Sequence, residues 1–361
     1  MFYFNIVIYL TIFLSITGFH CARLSEGTLT DSNSNLNLKQ DKGNPVIALL
    51  HGLNSKSSCF NSLKENLEQA FPDALVVALT SVENHNTVVL SIKEQANSTF
   101  KELLEKIPDV CNRPILLIGH SQGGLRAYKM YDAYNDLLNV KGIITLATPW
   151  EGAPVTNADQ ALLSEYCQTP FVWRDIQKFS MDYEKNIDFM NTTLQKIIKD
   201  YQKVSKCSGI IDLKPQSKFL CEVAEKLPKL LVPILAIGGA QSDFRVFLSK
   251  KSNYDFKNLR NVWTMFIVGE PYNRANKAHD MVVPLYSQHA DNIARENKNF
   301  ERFVVLDALH DEVLLLPPEK KFHNILEHPR AFEKIKEFAK RVLSQPSNQK
   351  TNTPQSIAEV A

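Results

Sequence analysis

The sequence predicts an α/β protein: a mostly parallel sheet with helices on both faces and a helical insertion over one end. Three observations carry this. Short apolar runs recur along the chain, separated by segments with helical apolar spacing, the pattern of parallel strands buried on both sides. One run, Pro114-Ile115-Leu116-Leu117-Ile118, leads straight into Gly119-His120-Ser121-Gln122-Gly123-Gly124, which reads as a very tight turn and a helix start. The 361 residues, 44% hydrophobic and 22% charged, suffice for one domain of about 300 residues plus tails.

Taken in order, Pro45–Leu50 is an apolar run fit for a buried strand, and Ser58–Ala70 has helical spacing at Phe60, Leu63 and Leu67. Ala74–Leu79 reads as a strand and Thr87–Ile107 as one long helix. The helix from about Gln122 carries Leu125, Tyr128, Tyr131 and Tyr134 on its inner side, and Lys141–Ala147 is the next strand. The strand rhythm then stops, so an insertion is expected over about 150–230, with the helical stretch Phe171–Lys206 inside it. Val232–Ile237, Asn261–Val268 and Arg302–Leu306 read as further strands, and Pro329–Leu343 as a closing amphipathic helix. The domain is thus expected over 45–344, followed by a polar, disordered tail over 345–361.

The formal net charge of +2 argues against nucleic acid as a partner. No zinc-type Cys/His spacing and no Walker loop occurs, so neither cofactor nor metal is expected. Residues 1–22 open with an apolar stretch free of charge, read as a signal peptide or, in the alternative, an uncleaved N-terminal anchor, before a polar linker over 23–44. Export is expected either way. Cys59, Cys111, Cys167, Cys207 and Cys221 follow, and pairing is expected within the cluster at 167, 207 and 221, the odd count leaving at least one thiol free. Asn97-Ser98-Thr99 and Asn191-Thr192-Thr193 are glycosylation sequons.

Ser121 stands at the apex of the turn, where a helix N-terminus and the Gln122 N–H can hold a developing oxyanion. A serine nucleophile needs a base, and the base an orienting carboxylate. His279-Asp280-Met281-Val282-Val283-Pro284 offers the carboxylate, and Leu306-Asp307-Ala308-Leu309-His310-Asp311-Glu312 the histidine just beyond the last strand. Asp280 and His310 are therefore the expected partners of Ser121. Asp243 is the rival acid, Asp307 is too near His310 in sequence, and His279, His289 and His323 are expected to be surface residues without a role.

These stretches, with His51-Gly52-Leu53, Ala147-Thr148-Pro149 and His310-Asp311-Glu312-Val313, make the chain resemble the lipase branch of the α/β hydrolases, bacterial triacylglycerol lipases among them. The Ser-Gln-Gly-Gly run also resembles palmitoyl-protein thioesterases, and Pro215-Gln216-Ser217-Lys218-Phe219-Leu220 resembles a stretch of acyltransferase-like and deacylase relatives. The resemblance implies the α/β-hydrolase fold with the order Ser, Asp, His, and an oxyanion hole made by the N–H groups of Leu53 and Gln122. It implies that the insertion is a lid and a point of contact with a membrane or lipid interface. It also implies a lipid or acyl-ester substrate cleaved through an acyl-enzyme, with thioester hydrolysis or acyl transfer as alternatives. A catalytically silent hydrolase fold is the reading from outside the enzyme class. Met281 departs from the glycine usual after the acid in bacterial lipases.

Overall fold

Five apolar residues, Val46–Leu50, form β1, which is buried along its length. Val46, Ala48 and Leu50 enter one core, Ile47 and Leu49 the other. A strand covered on both faces has to be apolar at every position, which is why it reads as a run rather than an alternation. β3 (Ile115–His120) repeats the arrangement, with Ile115 and Leu117 on one side and Leu116 and Ile118 on the other. The computed structural model describes residues 43–157, 204–241, 257–269, 277–311 and 323–344.

With β2 (Leu75–Ala78), β4 (Val140–Leu146), β5 (Ile234–Gly239) and β6 (Phe300–Val305), the described residues form a six-stranded sheet in the order β2-β1-β3-β4-β5-β6. Every neighbouring pair is parallel. The chain moves outward from β1 to β2, then returns to lay β3 on the other side of β1. The direction of winding therefore reverses between β1 and β3, and open parallel sheets take their ligands beyond the carboxyl ends of the strands at such a point.

Helices cover both faces. α1 (Asn61–Ala70), α2 (Asn86–Val89), α3 (Ile92–Lys106) and α4 (Gln122–Tyr134) lie before the span expected as the insertion; α5 (Ser208–Ile211) and α6 (Lys218–Lys226) lie within it. α7 (Lys257–Val268), α8 (Leu285–Gln288) and α9 (Pro329–Leu343) complete the described set. Phe100 and Leu103 of α3 and Leu125 and Tyr128 of α4 pack on one face. Leu63 and Leu67 of α1 and Ile335, Phe338 and Val342 of α9 pack on the other.

Two expected elements differ. Asn261–Val268 is not a strand but most of helix α7, and β6 pairs directly with β5. The span expected as one helix from Thr87 to Ile107 is two, broken at Leu90-Ser91. There Ser91 Oγ accepts from Glu94 N at 3.3 Å while the Glu94 carboxylate accepts from Ser91 N at 2.8 Å, a reciprocal cap that starts α3 afresh.

The acyltransferase-like stretch 215–220 has a local structural job: Ser217 caps α6, its Oγ accepting from Leu220 N at 3.2 Å, and Phe219 and Leu220 are buried. Cys59, Cys111, Cys207 and Cys221 are free thiols, so the described residues contain no disulfide, and Cys167 lies outside them. The N-terminal segment, most of the expected lid, the second sequon, Asp243 and the tail also fall outside. Among the described residues no helix is long and apolar enough to cross a membrane.

Candidate active site

Ser121 joins β3 to α4 with φ 54° and ψ −128°, a left-handed backbone that is costly for any residue with a Cβ. The turn is held by close backbone approach. A Cβ at Gly119 would collide with the backbone of Gly123 and Gly124, and one at Gly123 with the carbonyls of Leu50 and His51. Glycine at these places lets β3, α4 and the end of β1 meet. Ser121 occupies the N-cap position of α4, yet its hydroxyl makes no capping bond. It is committed elsewhere.

That hydroxyl lies 2.9 Å from His310 Nε2, and His310 Nδ1 lies 2.7 Å from Asp280 Oδ2. Because a carboxylate only accepts, Nδ1 carries the proton and Nε2 presents a lone pair to the serine. All three side chains are buried, Asp280 completely. The other carboxylate oxygen, Asp280 Oδ1, accepts from Val282 N at 3.0 Å and Val283 N at 2.7 Å, which leaves Oδ2 for the histidine.

His310 is fixed through its backbone as well. Its N–H donates to Asp280 O at 3.0 Å, and its carbonyl accepts from His120 Nε2 at 2.9 Å. His120 is the residue before the nucleophile, so the serine turn and the histidine loop are tied by this bond too. Burial pulls the His310 imidazole down, but the charge and hydrogen bond of Asp280, with Asp311 behind them, outweigh it and hold it above 6.5. Three other buried imidazoles go the opposite way, chiefly through burial: His51 to about 3, His120 to about 4 and His279 to about 4.

The loop after β1 lies against the serine. A Cβ on Gly52 would stand 2.8 Å from Ser121 Cβ. The Gly52 carbonyl accepts from His51 Nδ1 at 3.1 Å and from Ser55 N at 3.4 Å. In a trans peptide the following N–H, that of Leu53, points the other way from this carbonyl. The N–H of Gln122 is the first of α4, where no intrahelical acceptor exists. Beneath the loop, the buried Arg126 guanidinium donates to His51 O at 3.0 Å and Val82 O at 3.4 Å, and no carboxylate pairs with it among the described residues.

The rival residues are engaged elsewhere. Asp307 is exposed and binds His328 Nε2 at 3.0 Å. His279 and His289 are buried rather than on the surface: His279, bridged to Pro284, has Nε2 at 3.2 Å from Thr264 Oγ1, and His289, at the C-terminus of α8, has Nε2 at 3.2 Å from Phe303 O. His323 packs edge-on against His328. Residues that the sequence did not reveal are Arg126, which donates to His51 O and Val82 O, and Thr87, whose hydroxyl accepts from Asn54 N; all three partners are backbone groups far away in the chain. Among the described residues no group of acidic, histidine and cysteine side chains could hold a metal ion.

Residues 45–207 match the family model of palmitoyl protein thioesterase, a span holding both the β1 loop and the serine turn. No curated protein sequence matches the chain. Solved structures similar to it include phospholipase PlaB from Legionella pneumophila, at 12% identity and TM-score 0.49, covering 84% of this chain and 61% of that one. Lipase 1 from Pelosinus fermentans is similar at 11% identity and TM-score 0.46, covering 84% and 100%. A thermophilic esterase from Thermogutta terrifontis is similar at 16% identity and TM-score 0.42, covering 84% and 92%. The chain thus spans less than two thirds of the PlaB chain. By its parallel sheet order and its strained serine between β3 and α4, the chain has the architecture of the α/β-hydrolase fold, and over residues 45–207 it is similar to palmitoyl protein thioesterase.

Proposed function

We propose that the protein is a serine hydrolase of acyl esters, working through Ser121, His310 and Asp280. The observation that carries this is the two-ended engagement of one imidazole, 2.9 Å to a serine hydroxyl and 2.7 Å to a buried carboxylate. The serine O–H proton passes to His310 Nε2 as Oγ bonds to the acyl carbon, and the carbonyl pair moves onto oxygen. That oxyanion is received by the N–H groups of Leu53 and Gln122. When the intermediate collapses, the bond to the leaving oxygen breaks and His310 returns the proton to it. Water then repeats the sequence on the acyl-enzyme and frees the acid. Asp280 keeps Nδ1 protonated throughout, so that Nε2 stays the basic nitrogen.

A second reading, thioester hydrolysis, is favoured by the match of residues 45–207 to palmitoyl protein thioesterase. The steps are the same, with thiolate as the leaving group. The test is turnover of p-nitrophenyl esters from acetate to palmitate beside a palmitoyl thioester, for the wild type and Ser121→Ala. Serine-dependent turnover of either substrate class supports the proposal and tells the two readings apart. Turnover that survives Ser121→Ala, or is lacking on both classes in the wild type, overturns it.

A further inference from the structure

Between the β1 loop and the start of α4, which carry the proposed oxyanion donors, lies a residue that touches both, the loop through its hydroxyl and the Gln122 side chain through its carbonyl. Thr87, in α2, is fully buried. Its Oγ1 accepts from Asn54 N at 2.5 Å, one residue beyond Leu53, and donates to Asn84 O at 2.7 Å. Its own carbonyl accepts from the Gln122 side-chain amide at 3.2 Å and from Gln95 Nε2 at 2.9 Å. The Gln122 amide also donates to Gly209 O at 3.0 Å, which brings α5 into the same cluster.

The bond to Asn84 is an ordinary local contact for a helical threonine and by itself means only that the hydroxyl is satisfied. The bond from Asn54 is different, since it crosses 33 residues and ends beside a proposed oxyanion donor. Asn54 has φ 49°, so this loop holds a turn that an L-residue adopts at a cost. The peptide carrying the Leu53 N–H has neighbours held on both sides. Before it, His51 O is held by Arg126; after it, Asn54 N is held by Thr87.

We propose that Thr87 is a positioning residue that sets the spacing of the two oxyanion donors, through Asn54 on one side and Gln122 on the other. The inference rests on the serine-hydrolase reading and deepens it. A donor displaced by about 1 Å loses most of its transition-state stabilisation while substrate binding changes little.

The test compares Thr87→Val, which keeps shape and loses the acceptor, with Thr87→Ser, which keeps the acceptor, in the full chain on a p-nitrophenyl ester. Thr87→Val is expected to lower kcat by about 10- to 100-fold with KM within about twofold. Thr87→Ser should restore kcat to within a few-fold of wild type. The acid limb of the pH profile should not move in either, because His310 and Asp280 are untouched. Amide exchange at Asn54 should quicken in Thr87→Val and stay slow in Thr87→Ser, a readout independent of turnover. If Thr87→Val does not fold, Thr87→Ala takes its place in the same comparison. Active wild type with unchanged kcat in the valine variant, or equal loss in the serine variant, overturns the inference alone. Inactive wild type overturns the reading beneath it.

Discussion

Asp280 holds His310 twice, accepting from the imidazole Nδ1 at 2.7 Å through its side chain and from the backbone N–H at 3.0 Å through its carbonyl. Asp280→Asn should separate these functions. The amide oxygen can keep the bonds to Val282 and Val283, and the backbone bond is untouched, so the loop survives. The NH2 then faces Nδ1 and turns the imidazole to the wrong tautomer. Turnover is expected to fall by about 1,000-fold or more. The thermal midpoint should stay within a few degrees of wild type, measured alongside turnover.

His310 sits above 6.5, so the acid limb of kcat/KM should lie above 6.5 and activity should still climb near neutral pH. Below that limb the imidazole holds a proton on Nε2 and cannot take one from Ser121. A profile already flat from pH 6 upward would contradict the assignment of His310 as base.

Stability has the opposite dependence for three other histidines. His51, His120 and His279 are held neutral down to about 3, 4 and 4, whereas the unfolded chain takes up protons below about 6.5. Their contribution to stability is complete above 6.5 and is lost as pH falls toward the folded values. The raised His310 works the other way, its contribution being complete below 6.5 and lost as pH rises through its folded value. Between pH 6.5 and 4 the three dominate, each lowering the unfolding free energy by up to about 1.4 kcal/mol per pH unit. Urea denaturation at pH 7, 6 and 5 should show the midpoint falling steadily, and a constant midpoint would refute this.

Met281 has φ 81° and is 2% exposed, so a glycine there relieves backbone strain but empties part of the core. The strain amounts to about 1–2 kcal/mol and the buried side chain to about 2–5 kcal/mol, so packing wins. Met281→Gly should destabilise the protein by about 1–3 kcal/mol in denaturant titration. A more stable variant would show that the strained turn outweighs the packing.

The parts of the fold that depend on local composition were legible in the sequence. β1, β3 and β5 are short apolar runs, and burial on both sides makes such runs unmistakable when helices alternate with them. Asn261–Val268 misled because a run of eight apolar-rich residues fits a buried strand or a buried helix face equally, and here it extends back to Lys257 as α7. The break before α3 was readable as Ser91-x-x-Glu94 but lay inside a longer apolar period that masked it. Ser121 and His310 stood out because each lies in a short stretch beyond a strand end, whereas Asp280 stood out beyond a stretch read as a strand that is helix α7; the structure brings the three side chains together. Thr87 and Arg126 did not, because their bonds go to carbonyls and N–H groups, which leave no trace in the identity of the partner residue.

Ser121 and His310 are 189 positions apart, and the strand that leads to the histidine loop, β6, is one of the two edge strands of the sheet among the described residues. During synthesis the serine turn and the strands around it emerge first, while the base is still to be made. A nascent chain short of residue 310 carries the hydroxyl without an imidazole to take its proton. On the proposed reading, chemical competence arrives with the docking of β6 and the histidine loop after it, not with the strands around the serine. On that reading, the order of translation leaves Ser121 without its base until the domain around it is built.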